Sequence, residues 1–132
     1  MEMRDPEYWG KLIGRSLFRF FLLSALYERP MHGYELGKSV KECCSGCCEP
    51  SDAMIYPALR DLLEGGYIEC WVERVGGRER KVCALTQKGI DAYRIASQAW
   101  DRVIPHLVQA AEAAREQENR EDSEKAEPMW LS

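Results

Sequence analysis

Four of the six cysteines sit together in "KECCSGCCEP", at Cys43, Cys44, Cys47 and Cys48. Thiolates from these four could enclose a soft ion such as zinc or copper(I), and Cys44-x-x-Cys47 has the two-residue gap of a zinc knuckle. Against this, structural zinc sites usually draw on two separated knuckles, and the adjacent Cys43 and Cys44 do not readily face one ion. The same thiols could instead pair as disulfides and act as a redox switch. The third reading is a loop of reduced, inert thiols, and all three stand open. A second chemistry-bearing segment is basic, with Arg74, Arg78, Arg80 and Lys81 close together. Catalysis has little to work with. The two histidines are His32, in a turn, and His106, after a proline. Phosphate-loop and His/carboxylate patterns are missing, so the chain is not expected to be an enzyme.

The elements that must carry these residues follow from local pattern. "DPE" at Asp5–Glu7 supplies an N-cap, a proline at the first helical position and an acid in the first turn. Gly10 and Gly14 weaken a helix there, and a firm one is expected over about Arg15–Tyr27, ending before Pro30 and Gly33. A short helix, about Tyr34–Glu42, leads into the cysteine loop. Ser51 can cap a third helix over Asp52–Glu64, closed by Gly65 and Gly66. Ile55, Leu59, Leu62 and Leu63 share its apolar face, leaving Met54, Tyr56, Pro57 and Arg60 for a partner.

Two strand-like runs then flank Gly76 and Gly77, a dipeptide suited to a two-residue hairpin turn. With that turn, Glu73 faces Arg80 and Arg74 faces Glu79, two opposite-charge pairs that support the register. One face of the hairpin carries Ile68, Cys70, Val72, Cys83 and Leu85 and is expected to meet the core. Cys70 falls opposite Cys83, where a strained disulfide is possible and two small core thiols are the commoner outcome. Thr86 can cap a last helix from Gln87 to about Glu118. Its seam of Ile90, Tyr93, Ala96, Trp100, Val103, Leu107, Ala110 and Ala114 suits a second copy of the chain. Pro105 is expected to kink it.

At 132 residues and 45% apolar content, the chain is long enough for one compact core. The longest apolar run, Phe18–Tyr27, is broken by Arg19 and is too short to cross a membrane. The first residues lack a secretory pattern, and a cytoplasmic location is expected. The net charge of −4 is unevenly placed. Residues 110–132 hold seven acids against three bases, so residues 1–109 are neutral and can present a basic face.

Three helices followed by a hairpin with a basic tip is the order of a winged helix-turn-helix, a mainly α fold of the α+β winged-helix type. "MHGYEL" (Met31–Leu36), "IYPALRDLLEGGYIE" (Ile55–Glu69) and "GGRERKVCALTQKG" (Gly76–Gly89) closely resemble the PadR family of transcriptional regulators, over about residues 16–95. The resemblance implies a homodimeric repressor that binds double-stranded operator DNA. The single last helix is similar to the short PadR subfamily, some of whose members bind flat aromatic drugs beside a tryptophan of that helix. Two departures stand out. Ala53-Met54 occupies the place of the family's small polar pair, and Cys83 that of a usual aromatic.

These readings give a winged-helix DNA-binding domain over 1–86, a dimerisation helix over 87–118 and an acidic, disordered tail over 119–132. Ser51, Tyr56, Pro57, Arg60, Arg78, Arg80 and Lys81 are the expected DNA contacts, by phosphate neutralisation and a few base edges. By helix position, Trp100 with Tyr93 is the expected pocket for an aromatic small-molecule effector. Zinc or another soft metal at Cys43–Cys48 is the candidate cofactor. Trp130 has no assigned role. The competing reading is a winged-helix protein-interaction module whose cysteine loop binds or transfers metal.

Overall fold

The computed structural model describes residues 1–43 and 51–125. In chain order the elements are α1 (Pro6–Glu28), β1 (Met31–His32), α2 (Gly33–Cys43), α3 (Asp52–Glu64), β2 (Ile68–Val75), β3 (Arg78–Leu85) and α4 (Gln87–Lys125). They fall into two units, Met1–Ala96 and Ser97–Ser132. None of the described helices is long and apolar enough to cross a membrane.

The first helix starts where its capping residues stand. The Asp5 carboxylate accepts from the Glu7 amide at 2.9 Å, and Pro6 opens the first turn. The helix continues through Gly10 and Gly14, earlier than the Arg15 start expected. Gly14 is itself buried, and the packing of Phe18, Leu22 and Leu26 outweighs a glycine cost of about 1 kcal/mol each. The third helix has the expected bounds. Gly65 closes it, with its amide donating to the Asp61 carbonyl at 2.9 Å. Ser51 has the extended backbone of an N-cap, but its hydroxyl makes no capping hydrogen bond, contrary to expectation. The Ser51 carbonyl instead accepts from the Met54 and Ile55 amides.

The core joins Leu22 and Leu26 of α1, Met31, Leu36 and Val40, Ile55 and Ala58 of α3, and Ile68 with Cys83 of the hairpin. Two assignments shift. Leu63 is 39% exposed while Ala58 is buried. Within the hairpin Val72 is 63% exposed and Val82 buried. The sheet also has a third strand that the hairpin pattern does not show. β1 pairs antiparallel with β3, His32 opposite Val82 and Met31 opposite Cys83, giving the sheet order β1-β3-β2. β1 therefore borders the root of the hairpin, and Val72, paired with Lys81 nearer the tip, lies beyond it.

The hairpin register is the expected one, with Glu73 opposite Arg80, Arg74 opposite Glu79 and Cys70 opposite Cys83. Gly76 and Gly77 take φ of 60° and 80°, the left-handed pair a two-residue turn requires. Cys70 and Cys83 are joined by a disulfide, with Cα atoms 4.1 Å apart, and are not the two free thiols expected. Close strand approach at a non-hydrogen-bonded pair brings the sulfurs within bonding reach.

After the hairpin, Thr86 caps α4, its hydroxyl accepting from the Gly89 amide at 3.2 Å and donating to the Gly66 carbonyl at 2.6 Å. A Cβ on Gly89 would collide with the Tyr67 carbonyl, so this junction requires glycine. The helix passes through Pro105 without ending and reaches Lys125, beyond the expected Glu118. Residues 119–125, expected in a disordered tail, are helical. Trp130 lies outside the described residues.

Candidate nucleic-acid interface

Between α3 and the hairpin lies a groove of about 940 Å³. The α3 helix contributes Tyr56 and Arg60, and the hairpin contributes Arg78, Arg80 and Lys81. The floor is apolar, from Leu59, Leu63, Ile68 and the Cys70–Cys83 bond. Four cations on one concave rim, with Glu35 the acid among the lining residues, make a site whose field attracts polyanions. Tyr56 is 57% exposed, its hydroxyl close beside Gly33 at the start of α2. It is thus packed along one edge and open along the other.

Five of the seven residues expected to touch DNA are brought to this groove. Ser51, just before α3, and Pro57, on it, are exposed and are not among the lining residues of the groove. Ser51 stands at the N-terminus of α3, where free amides favour an anion.

A second hollow beside it, about 480 Å³, is lined by Tyr34, Lys38, Lys41, Glu42 and Tyr56. Tyr34, Lys38 and Lys41 are not among the DNA contacts expected from the sequence. Their spacing of four and then three residues puts them on one helical face, a signal that was present. Lys38 and Lys41 are exposed and line this hollow with Tyr56, so α2 adds two cations beside the α3 groove.

At the back of the groove, His32 Nε2 lies 2.8 Å from Glu35 Oε1 and 3.0 Å from Arg80. Arg29 donates to the other Glu35 oxygen at 2.7 Å, and that bond holds the Glu35 carboxyl below the usual carboxylate range. His32 is therefore more than the turn residue its position suggested.

The remaining candidates divide. Tyr93 packs on α1, its ring 5.5 Å from Phe20 and 4.7 Å from Tyr27, which makes it part of an aromatic cluster. Trp100 belongs to the other unit and is half-buried. Of the thiolate cluster, Cys44, Cys47 and Cys48 lie outside the described residues, and Cys43 is the last residue of α2. Among the described residues there is no group of three or more His, Cys, Asp or Glu able to hold a metal ion.

Comparison with known proteins agrees with this geometry. The chain is 34% identical over 79 residues to the transcriptional regulator YqjI of Escherichia coli, a match covering 60% of this chain and 37% of that protein. It spans, then, little more than a third of that relative. Among solved structures, a PadR-like transcriptional regulator of Bacillus cereus superposes with a TM-score of 0.68 at 21% identity, covering 76% of this chain and 96% of that one. A PadR family transcription regulator of Clostridium difficile gives 0.65 at 24% identity, covering 72% and 98%. These two show the shared fold. The model of the transcriptional regulator PadR-like family matches residues 22–95, more than half of the chain and the whole span from the core of α1 to the first turns of α4. With the winged helix in place and that match across it, the chain belongs to the PadR-like family of transcriptional regulators.

Proposed function

We propose that this protein is a homodimeric repressor that grips operator DNA with α3 and the hairpin wing of each copy. The observation that carries the reading is the convergence of Arg60, Arg78, Arg80 and Lys81 with an exposed Tyr56 on one groove. A third helix in the major groove and a wing along the backbone would use those residues for phosphate neutralisation and a few base edges. Lys38 and Lys41 extend the phosphate track.

The dimer is supported by α4. Val103, Ile104, Leu107 and Val108 are between 42% and 56% exposed, an apolar stripe that a second copy would cover. Two recognition helices about 34–36 Å apart meet successive turns of the duplex, so a small rotation at the dimer contact is enough to lose affinity. The releasing signal is a small molecule, a metal or a change in thiol redox state. The wing disulfide supports the last of these, and Trp100 remains the proposed contact of an aromatic effector.

The test is binding of the full chain to a fluorescent duplex taken from upstream of its own gene, measured across a salt series. Binding should weaken steeply as salt rises. Replacing Arg78, Arg80 and Lys81 together by alanine should flatten the log–log slope by about one unit per lost phosphate contact. Absence of duplex binding in dilute buffer would overturn the reading and favour a protein-interaction module.

A further inference from the structure

A chain of polar contacts runs from the end of α1 to the wing. Arg29 holds Glu35, Glu35 meets His32, and His32 meets Arg80. Its centre is one nitrogen. His32 Nε2 is 2.8 Å from a carboxylate oxygen, which accepts, and 3.0 Å from a guanidinium nitrogen, which donates. One ring nitrogen cannot both donate to the first and accept from the second. With the proton on Nδ1, Nε2 accepts from Arg80. With the proton on Nε2, the ring donates to Glu35, and Nδ1 faces the Glu35 amide at 3.4 Å.

The ring is well fixed. Its side chain is 17% exposed, its backbone pairs with Val82 in the sheet, and the Tyr34 ring stacks on it at a centroid distance of 6.5 Å. Across the hairpin from Arg80, the Glu73 carboxylate accepts from Trp71 Nε1 at 2.9 Å. The anchored group that meets the Arg80 guanidinium is therefore His32. An exposed arginine loses rotamer freedom when it grips a phosphate, and an arginine already parked loses less.

We propose that His32 is the positioning residue for Arg80, holding the wing guanidinium at the rim of the groove for a DNA phosphate. This rests on the DNA-binding reading above. Acting through Arg80, His32 need not touch DNA itself. In that role Nε2 accepts from Arg80 and the ring proton sits on Nδ1, while the Glu35 carboxylate is held by Arg29.

A double-mutant cycle on the full chain tests it, with the same fluorescent duplex at one salt concentration. His32→Ala should weaken binding about two- to tenfold, the cost of ordering one free arginine. In the Arg80→Ala background His32→Ala should then cost little more, whereas beside Lys81→Ala it keeps its full effect. His32→Phe keeps a flat ring against Tyr34 but has no nitrogen, and should reproduce His32→Ala if the alanine variant folds poorly. His32→Gln, whose amide both donates and accepts, should restore affinity to within about twofold. Additive losses for positions 32 and 80 would overturn the proposal while leaving DNA binding intact. A wild-type chain that ignores the duplex would overturn the DNA-binding reading, and this proposal with it.

Discussion

Two apolar stretches of helix, alike in spacing, meet opposite fates. In α1, Phe18, Leu22 and Leu26 recur every four residues and are 5%, 0% and 3% exposed. In α4, Val103, Ile104, Leu107 and Val108 follow the same helical spacing and stay largely open. The first stripe has neighbours within its own unit, since α2, α3 and the hairpin all contribute to its cluster. The second unit holds, in its described part, only the later turns of α4. Helical periodicity shows that a face must be covered, and only the count of surrounding elements shows whether the chain covers it itself.

The sharpest way to break the contrast is at Leu22. Truncation to alanine in a site with no exposure should cost about 3–5 kcal/mol, visible as a large fall in the urea midpoint. Next comes the wing. Cys70 and Cys83 are 13 residues apart, so their bond should contribute about 2–3 kcal/mol by limiting the unfolded chain. Replacing both by serine should lower the melting temperature of air-oxidised protein to that of the wild type in reductant. Equal melting of all samples would show that the bond does not form in solution. Within the single chain the smallest effect on stability should come from Leu107→Ala, within about 0.5 kcal/mol because the side chain is 56% exposed there. That variant should instead shift the sedimentation mass from two copies toward one. A large loss of stability with no change in mass would sink the contrast.

How far the molecule was legible depends on the range of the interaction involved. The limits of α3 could be read because the extended Ser51, the apolar face and the closing glycines are all local to the helix and its flanks. The hairpin register was equally local, since Gly76 and Gly77 specify the turn and the turn specifies every opposed pair. β1 was not legible. Two residues have no periodicity, and Met31 becomes strand only because β3 lies beside it. The Cys70–Cys83 bond lay between these cases: the register showed the opposition, and the strand approach decided the bond.

The candidate interface follows the same division. Arg78, Arg80 and Lys81 stand out as a basic tip in one dimension, and Tyr56 with Arg60 as the open side of a helix. Their joining into one groove with the Tyr34 face of α2, and the link of His32 to Arg80 across 48 residues, are tertiary facts. The amino-acid order alone determined which segments coil, where α3 starts and stops, how the hairpin pairs and where the charge lies, because those outcomes depend on neighbours a few positions away. The tertiary structure decided which apolar faces are satisfied, which thiols bond and which guanidinium has an anchor. Those outcomes depend on distances between residues far apart in the chain, and packing sets such distances.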